Sequence, residues 1–109
     1  LLGVKIIEYG AFHFCGNLVD VEFGVELETI EDDAFHLCTS LRTVTMPSMK
    51  AIGGYAFSNC RQLTDLDLPE GLETIEQSAF QYCLDLKRIA IPLDCMIGIE
   101  VFYNCPKLT

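Results

Sequence analysis

A phenylalanine recurs at Phe12, Phe35, Phe57, Phe80 and Phe102, in steps of 23, 22, 23 and 22 residues. Four further columns keep the same beat. Cysteine stands at Cys15, Cys38, Cys60, Cys83 and Cys105, and leucine at Leu18, Leu41, Leu63, Leu86 and Leu108. Isoleucine stands at Ile7, Ile30, Ile52, Ile75 and Ile97, and a small residue at Ala11, Ala34, Ala56 and Ala79, with Val101 the exception. A fixed period in the twenties marks a stack of similar coils. One such coil cannot bury its apolar face alone, so neighbours must share one interior. The columns divide the chain into a partial unit, 1–17, and units 18–40, 41–62, 63–85 and 86–107, all within one domain, 1–109.

Within a unit, Leu66 and Leu68 alternate with Asp65 and Asp67, the period of a short half-buried strand. The equivalents are Val21 and Phe23, Val44 and Met46, Ile89 and Ile91. Pro47, Pro69 and Pro92 end three of these strands, because proline has no N–H for the ladder; Gly24 takes the corner in the first. A second extended piece follows, with Leu72 and Ile75 inward, as are Val4 and Ile7, Leu27 and Ile30, Met49 and Ile52. Then Ala79-Phe80-x-x-Cys83 places apolar residues at i, i+1 and i+4, which predicts a single helical turn. Strands stack at about 4.8 Å and helices at about 8–10 Å. That mismatch predicts an arc. The expected fold is an α/β solenoid of 22–23-residue coils, with short parallel strands on the concave side and single helical turns on the convex side. The last full unit has Asp94 where Leu27, Met49 and Leu72 stand. Burying a carboxylate is costly, so Leu93 is expected to take the slot and Asp94 to turn outward.

The pattern Leu-x-x-Val-x-Phe/Met/Leu/Ile, then Pro, then Leu-x-x-Ile-x-x-x-Ala-Phe-x-x-Cys, resembles the BspA-like class of leucine-rich repeats from Val4 to Leu108. The resemblance implies a right-handed solenoid with a parallel concave sheet. It also implies a protein of the cell surface or secreted space that binds other proteins; the residues themselves leave a cytoplasmic place open. The commonest leucine-rich repeat has an asparagine after the strand. Here proline holds that corner, so no asparagine ladder is expected.

The formal net charge is −9. That argues against nucleic acid, which requires a positive footprint, and against anionic membrane surfaces. It favours, if anything, a basic partner. No run reaches the ~20 apolar residues of a spanning helix; Ile89 to Tyr103 is broken by Pro92, Asp94 and Glu100. No signal-peptide pattern is visible at Leu1. The chain opens in mid-repeat and closes just inside a new one, as a piece of a longer array would. Leu1, Leu2 and Leu108 then read as exposed core, and the piece is expected to associate end to end or to need neighbouring repeats.

Six cysteines in a short chain suggest disulfides. Five share one register beside the phenylalanines, however, where free cysteine packs as a small hydrophobe. On the wide side of an arc their Cα atoms would exceed the ~7 Å limit for bridging. Cys95 aligns instead with Glu28, Lys50 and Glu73 and is expected to face solvent as the reactive thiol. His13 and His36 share a column near Cys15 and Cys38, a ligand set that could suggest zinc. On a helical turn, i and i+2 point to different sides, so no metal site is expected. Glu31, Asp32 and Asp33 precede a predicted helical turn, where acids suit the positive end. No phosphate loop or catalytic motif is present, and no cofactor is expected.

The outward residues of the strands form the candidate binding surface: Asp20, Glu22, Thr43, Thr45, Asp65, Asp67 and Arg88. Two acids at i and i+2 stand about 6.5–7 Å apart, near the ~6.5–9.5 Å separation of inverting glycosidases. The face is open, though, and carries no aromatic residue to stack a sugar. A calcium ladder also lacks ligands, since it needs about six to eight oxygens. The leading expectation is a non-catalytic protein–protein interaction module with an acidic surface and a basic protein partner. The alternatives are a structural spacer in a longer array and a carbohydrate-active solenoid enzyme using an Asp65–Asp67 pair.

Overall fold

The structure is a computed structural model that describes residues 3–108. Leu1 and Leu2, two of the three residues read as exposed core, lie outside the described residues. Leu108 is half-buried and packs against the core.

Among the described residues, nine short strands build a parallel β-solenoid. They are β1 (Ile6–Ile7), β2 (Asp20–Glu22), β3 (Thr29–Ile30), β4 (Thr43–Thr45), β5 (Ala51–Ile52), β6 (Asp65–Asp67), β7 (Thr74–Ile75), β8 (Arg88–Ala90) and β9 (Met96–Ile97). The odd-numbered strands form one continuous five-stranded sheet, β1-β3-β5-β7-β9. Its register, Ile7↔Ile30, Ile30↔Ile52, Ile52↔Ile75 and Ile75↔Ile97, reproduces the isoleucine column. The even-numbered strands form two separate pairs, β2-β4 and β6-β8. The unbroken sheet is therefore the second extended piece of each coil, not the first. On the first piece the ladder holds over the 23-residue steps Val21↔Val44 and Leu66↔Ile89. It fails over the 22-residue step from β4 to β6.

The expected helical turns are not there: among the described residues there is no helix. The backbone shows why. In each coil the residues two before and two after the phenylalanine have positive φ: Gly10 and Phe14, Asp33 and Leu37, Tyr55 and Asn59, Ser78 and Tyr82, Glu100 and Asn104. A right-handed helix cannot pass through these points. They close successive tight turns, His36 N–H to Asp33 O at 3.2 Å and Cys38 N–H to Phe35 O at 3.2 Å, each bonded from i+3 to i. The N–H groups in between reach the next coil: Asp33 to Gly54 O at 3.0 Å, Phe35 to Ala56 O at 2.8 Å, Leu37 to Ser58 O at 2.9 Å. Half of the donors a helix would use internally thus bind neighbouring coils. This side is spaced by hydrogen bonds, as the sheet is, so the wide helical spacing proposed as the cause of an arc is absent.

Inside, the phenylalanines queue in one file. Ring centroids lie 5.0, 5.2, 5.3 and 5.9 Å apart from Phe12 through Phe102, with interplanar angles of 9, 1, 1 and 12°. Parallel rings at this offset are favourable beyond their burial. Phe35, Phe57 and Phe80 are fully buried with the leucine, isoleucine and cysteine columns around them. The cysteine column has a bonding role as well. Four of its five thiols donate to the carbonyl of the phenylalanine one coil earlier: Cys38 to Phe12 at 3.1 Å, Cys60 to Phe35 at 3.3 Å, Cys83 to Phe57 at 3.3 Å, Cys105 to Phe80 at 3.1 Å. All six thiols are free.

The last corner departs from expectation. Leu93 does not fill the slot but is fully exposed, at 102%. Asp94 does turn outward. Cys95 comes in instead and packs against the core. The turn sets this choice. Cys95 N–H bonds to Pro92 O at 3.2 Å, as Leu72 N–H bonds to Pro69 O at 3.1 Å. Cys95 takes the place that Leu72 has after Pro69, whereas after Pro47 the inward residue is Met49, one position earlier. Cys95 is thus not the solvent-facing thiol of the sequence reading; partial burial raises its pKa above the usual thiol value.

Candidate functional site

The seven residues of the candidate surface do share one exposed face. Asp20 and Glu22 flank Val21, Thr43 and Thr45 flank Val44, Asp65 and Asp67 flank Leu66, and Arg88 begins β8. Strand alternation sends the middle residue inward and the flanking ones to solvent. The face is less acidic than its carboxylates suggest. Arg88 reaches Asp67 at 2.8 Å and Asp65 at 3.7 Å. Thr43 Oγ1 donates to Asp20 Oδ1 at 2.6 Å, and Arg42 lies 3.9 Å from the other oxygen. Such exposed pairs contribute little to stability, but they set the charge pattern a partner meets.

The even-numbered ladder is interrupted between β4 and β6. No backbone hydrogen bond joins β4 to β6 among the described residues. A cleft of about 680 Å³ lies there, lined by Thr43, Thr45, Met46, Asp65, Asp67 and Glu70 among others. The sequence signals the face but not the gap.

A second groove, about 720 Å³, runs along the corner where the five-stranded sheet meets the tight turns. Tyr9, Tyr55, Ile97 and Ile99 supply exposed apolar surface, and Asp32, Asp33 and Glu76 supply acid. The acids there do not support helix ends, since no helix follows. Asp32 Oδ1 accepts Gly54 N–H at 2.8 Å, and Glu31 Oε1 accepts Tyr9 N–H at 3.1 Å. They tie one coil to the next. Gly53 has a matching reason: a Cβ there would lie 2.6 Å from the Asp32 nitrogen.

The core thiols divide: the contact with Cys83 lowers Cys105 to about 7, whereas Cys38, Cys60 and Cys83 are held protonated. Burial pushes Cys38 up to about 11 and Cys60 higher still. The neighbouring Cys105 thiol, and burial, push Cys83 up. A thiol is nucleophilic as its thiolate, which these three positions disfavour. Among the described residues no group of three or more His, Cys, Asp or Glu could hold a metal. The two histidines nevertheless meet each other across the coils, which sequence reasoning missed although they share a column. No described helix is long and apolar enough to cross a membrane.

The model of the BspA type leucine rich repeat region matches residues 3–109, in six copies. The chain belongs to this family. Its resemblance to solved leucine-rich repeat structures agrees in fold. A leucine-rich repeat protein from Bacteroides ovatus is 28% identical, with a TM-score of 0.75 over 96% of this chain and 36% of that one. A leucine rich cell surface protein from Faecalibacterium prausnitzii is 24% identical, with a TM-score of 0.79 over 97% of this chain and 35% of that one. A leucine rich repeat protein of T. pallidum, 22% identical, superposes with a TM-score of 0.52 over 100% of this chain and 74% of that one. This BspA-type chain thus spans about a third of the length of the first two. No curated protein matches it.

Proposed function

We propose that this BspA-type chain is a non-catalytic protein–protein interaction module that offers the face of β2, β4, β6 and β8 to a basic segment of a protein partner. The observation that supports it is the cleft between β4 and β6. There Asp65 and Asp67 stand exposed beside Thr43 and Thr45, where the ladder is interrupted. Carboxylates and hydroxyls at that spacing suit lysine or arginine side chains, with charge steering encounter more than setting affinity. The glycosidase alternative is poorly supported. Two-carboxylate hydrolysis uses acids in contrasting environments, whereas Asp65 and Asp67 are both exposed and both share Arg88.

The corner groove favours a second reading, in which the partner seats its apolar residues against Tyr9, Ile97 and Ile99. An oligolysine peptide and the natural partner, once captured, distinguish the two. Asp65→Lys with Asp67→Lys should abolish salt-dependent binding if the strand face is used. Glu76→Lys with Ile99→Glu should do so if the groove is used. Neutrality of both pairs would reject the proposal and leave the spacer reading.

End-to-end self-association is part of the same proposal. β1 and β9 are the two edges of the five-stranded sheet, and Ile6, Met96 and Ile97 are exposed there. Unprotected edges of matching register invite pairing. Light scattering against concentration tests it: an Ile97→Lys variant should be smaller in mass than the parent at high concentration, and equal masses would refute it.

A further inference from the structure

His13 and His36 each follow a stacked phenylalanine and lie 23 residues apart, one above the other. Their rings are parallel within 14°, with centroids 5.0 Å apart. His36 Nδ1 lies 3.2 Å from His13 Nε2. Phe14 covers the outer face of His13 at 4.0 Å, and the Tyr55 ring stands 6.4 Å from His36. These neighbours restrict both imidazoles before any ligand arrives. Two nitrogens on one tetrahedral ion, each at about 2.0–2.1 Å, are separated by about 3.3 Å. The spacing already present is that bite.

We infer that His13 Nε2 and His36 Nδ1 form a two-histidine site for a borderline divalent cation of the Zn²⁺, Ni²⁺ or Cu²⁺ kind, with water in the remaining positions. Imidazole suits these ions, while Mg²⁺ and Ca²⁺ prefer oxygen. His13 is exposed and His36 half-buried, so water can complete the shell. The facing nitrogens share one proton in the hydrogen bond. For both to offer lone pairs, that proton moves to the far nitrogen of the ring that carries it, and neutral imidazoles release no net proton. The Asp33 carboxylate acts electrostatically on His36 and favours positive charge beside it. With no third protein ligand among the described residues, affinity is modest. The ion would join the first two coils, since each contributes one ligand.

The test is a titration of the whole chain with Ni²⁺ alone, followed by imidazole NMR and by melting temperature. Both histidine resonances should shift together, and the melting temperature should rise. His13→Gln and His36→Gln should each weaken binding by about tenfold or more, as loss of one of two ligands must. Both replace partly exposed side chains, so folded variants are expected; NMR dispersion checks this. Ni²⁺ binding that is unchanged in either variant would place the ion elsewhere, for instance on a thiol, and overturn the inference. So would an equal response to Mg²⁺, or no response of the parent chain to millimolar Ni²⁺.

Discussion

The ring of Phe57 lies 5.2 Å from that of Phe35, with 1° between their planes. Phe80 repeats the arrangement on the other side at 5.3 Å. Phe57 is therefore the middle of a file in which each ring is wall and filler for its neighbours. Phe57→Ala should cost about 3–5 kcal/mol by leaving a cavity between two rings that cannot collapse together. Phe57→Leu should cost less. Urea unfolding followed by circular dichroism measures both, and similar losses for the two would contradict the file as the source of stability.

The tight turns carry a different kind of energy. Glu100 is exposed yet holds a φ of 55°. A left-handed conformation costs an ordinary residue about 1–2 kcal/mol, and asparagine bears it better. Glu100→Asn should therefore raise stability by about 1 kcal/mol. Glu76→Asn, at an exposed position without positive φ, is the control and should not. Thermal melts of the two variants decide the matter.

These two features differ in how far the sequence shows them. Phe57 and the columns around it were readable because identical side chains at one register must share one interior. The strands were readable from alternation at Asp65, Leu66 and Asp67. The helical turn was misread at Ala79, Phe80 and Cys83, because apolar spacing of i, i+1 and i+4 records only which side chains point inward. It says nothing of backbone hand. Positive φ at Ser78 and Tyr82 is carried by residues with no special preference for it, so nothing in their identity announces it. For the candidate site, the exposed face of Asp20 to Arg88 was legible. The gap between β4 and β6, the Arg88 clasp on Asp67 and the meeting of His13 with His36 depend on contacts between coils that a single repeat does not contain.

Two glycines should respond oppositely to one methyl group. A Cβ at Gly53 would lie 2.6 Å from the Asp32 nitrogen and 2.7 Å from the Glu31 carbonyl carbon. Both are backbone atoms just past β3, tied to the preceding coil by Glu31 N–H to Ile7 O and Gly10 N–H to Asp32 O, so Gly53→Ala should cost about 2–3 kcal/mol. At Gly71 nothing lies within 4 Å. Gly71→Ala should be neutral or stabilising by up to about 1 kcal/mol, because it narrows the unfolded ensemble. Denaturant midpoints of the two variants should fall on opposite sides of the parent, or Gly71→Ala on it.

The stacked histidines make stability depend on mild acid. Burial holds His36 below its usual range, with Asp33 opposing and His13 adding to the effect. A histidine whose folded pKa is lowered favours the neutral form on folding. Its contribution is complete above the unfolded value, about 6.5, and is lost as pH falls through the folded value. The denaturant midpoint should thus drop between pH 7.5 and pH 5.5, and His36→Gln should lose less over the same interval. A parallel pH dependence in the two proteins would show that His36 is not the group responsible.

Arg88 sets the charge of the strand face, because it holds Asp67 at 2.8 Å and Asp65 at 3.7 Å while remaining exposed itself. Removing it unmasks two carboxylates beside the β4–β6 cleft and takes away one positive charge. If the proposed surface is the one that meets a basic segment, Arg88→Ala should tighten binding of an oligolysine peptide and steepen its dependence on salt. The fold should hardly notice, since exposed ion pairs contribute little to stability. Titrations at low and at physiological ionic strength separate these effects. Binding that is unchanged in Arg88→Ala but lost in Glu76→Lys with Ile99→Glu would move the contact to the corner groove, where the carboxylates lie on the other side of the coil.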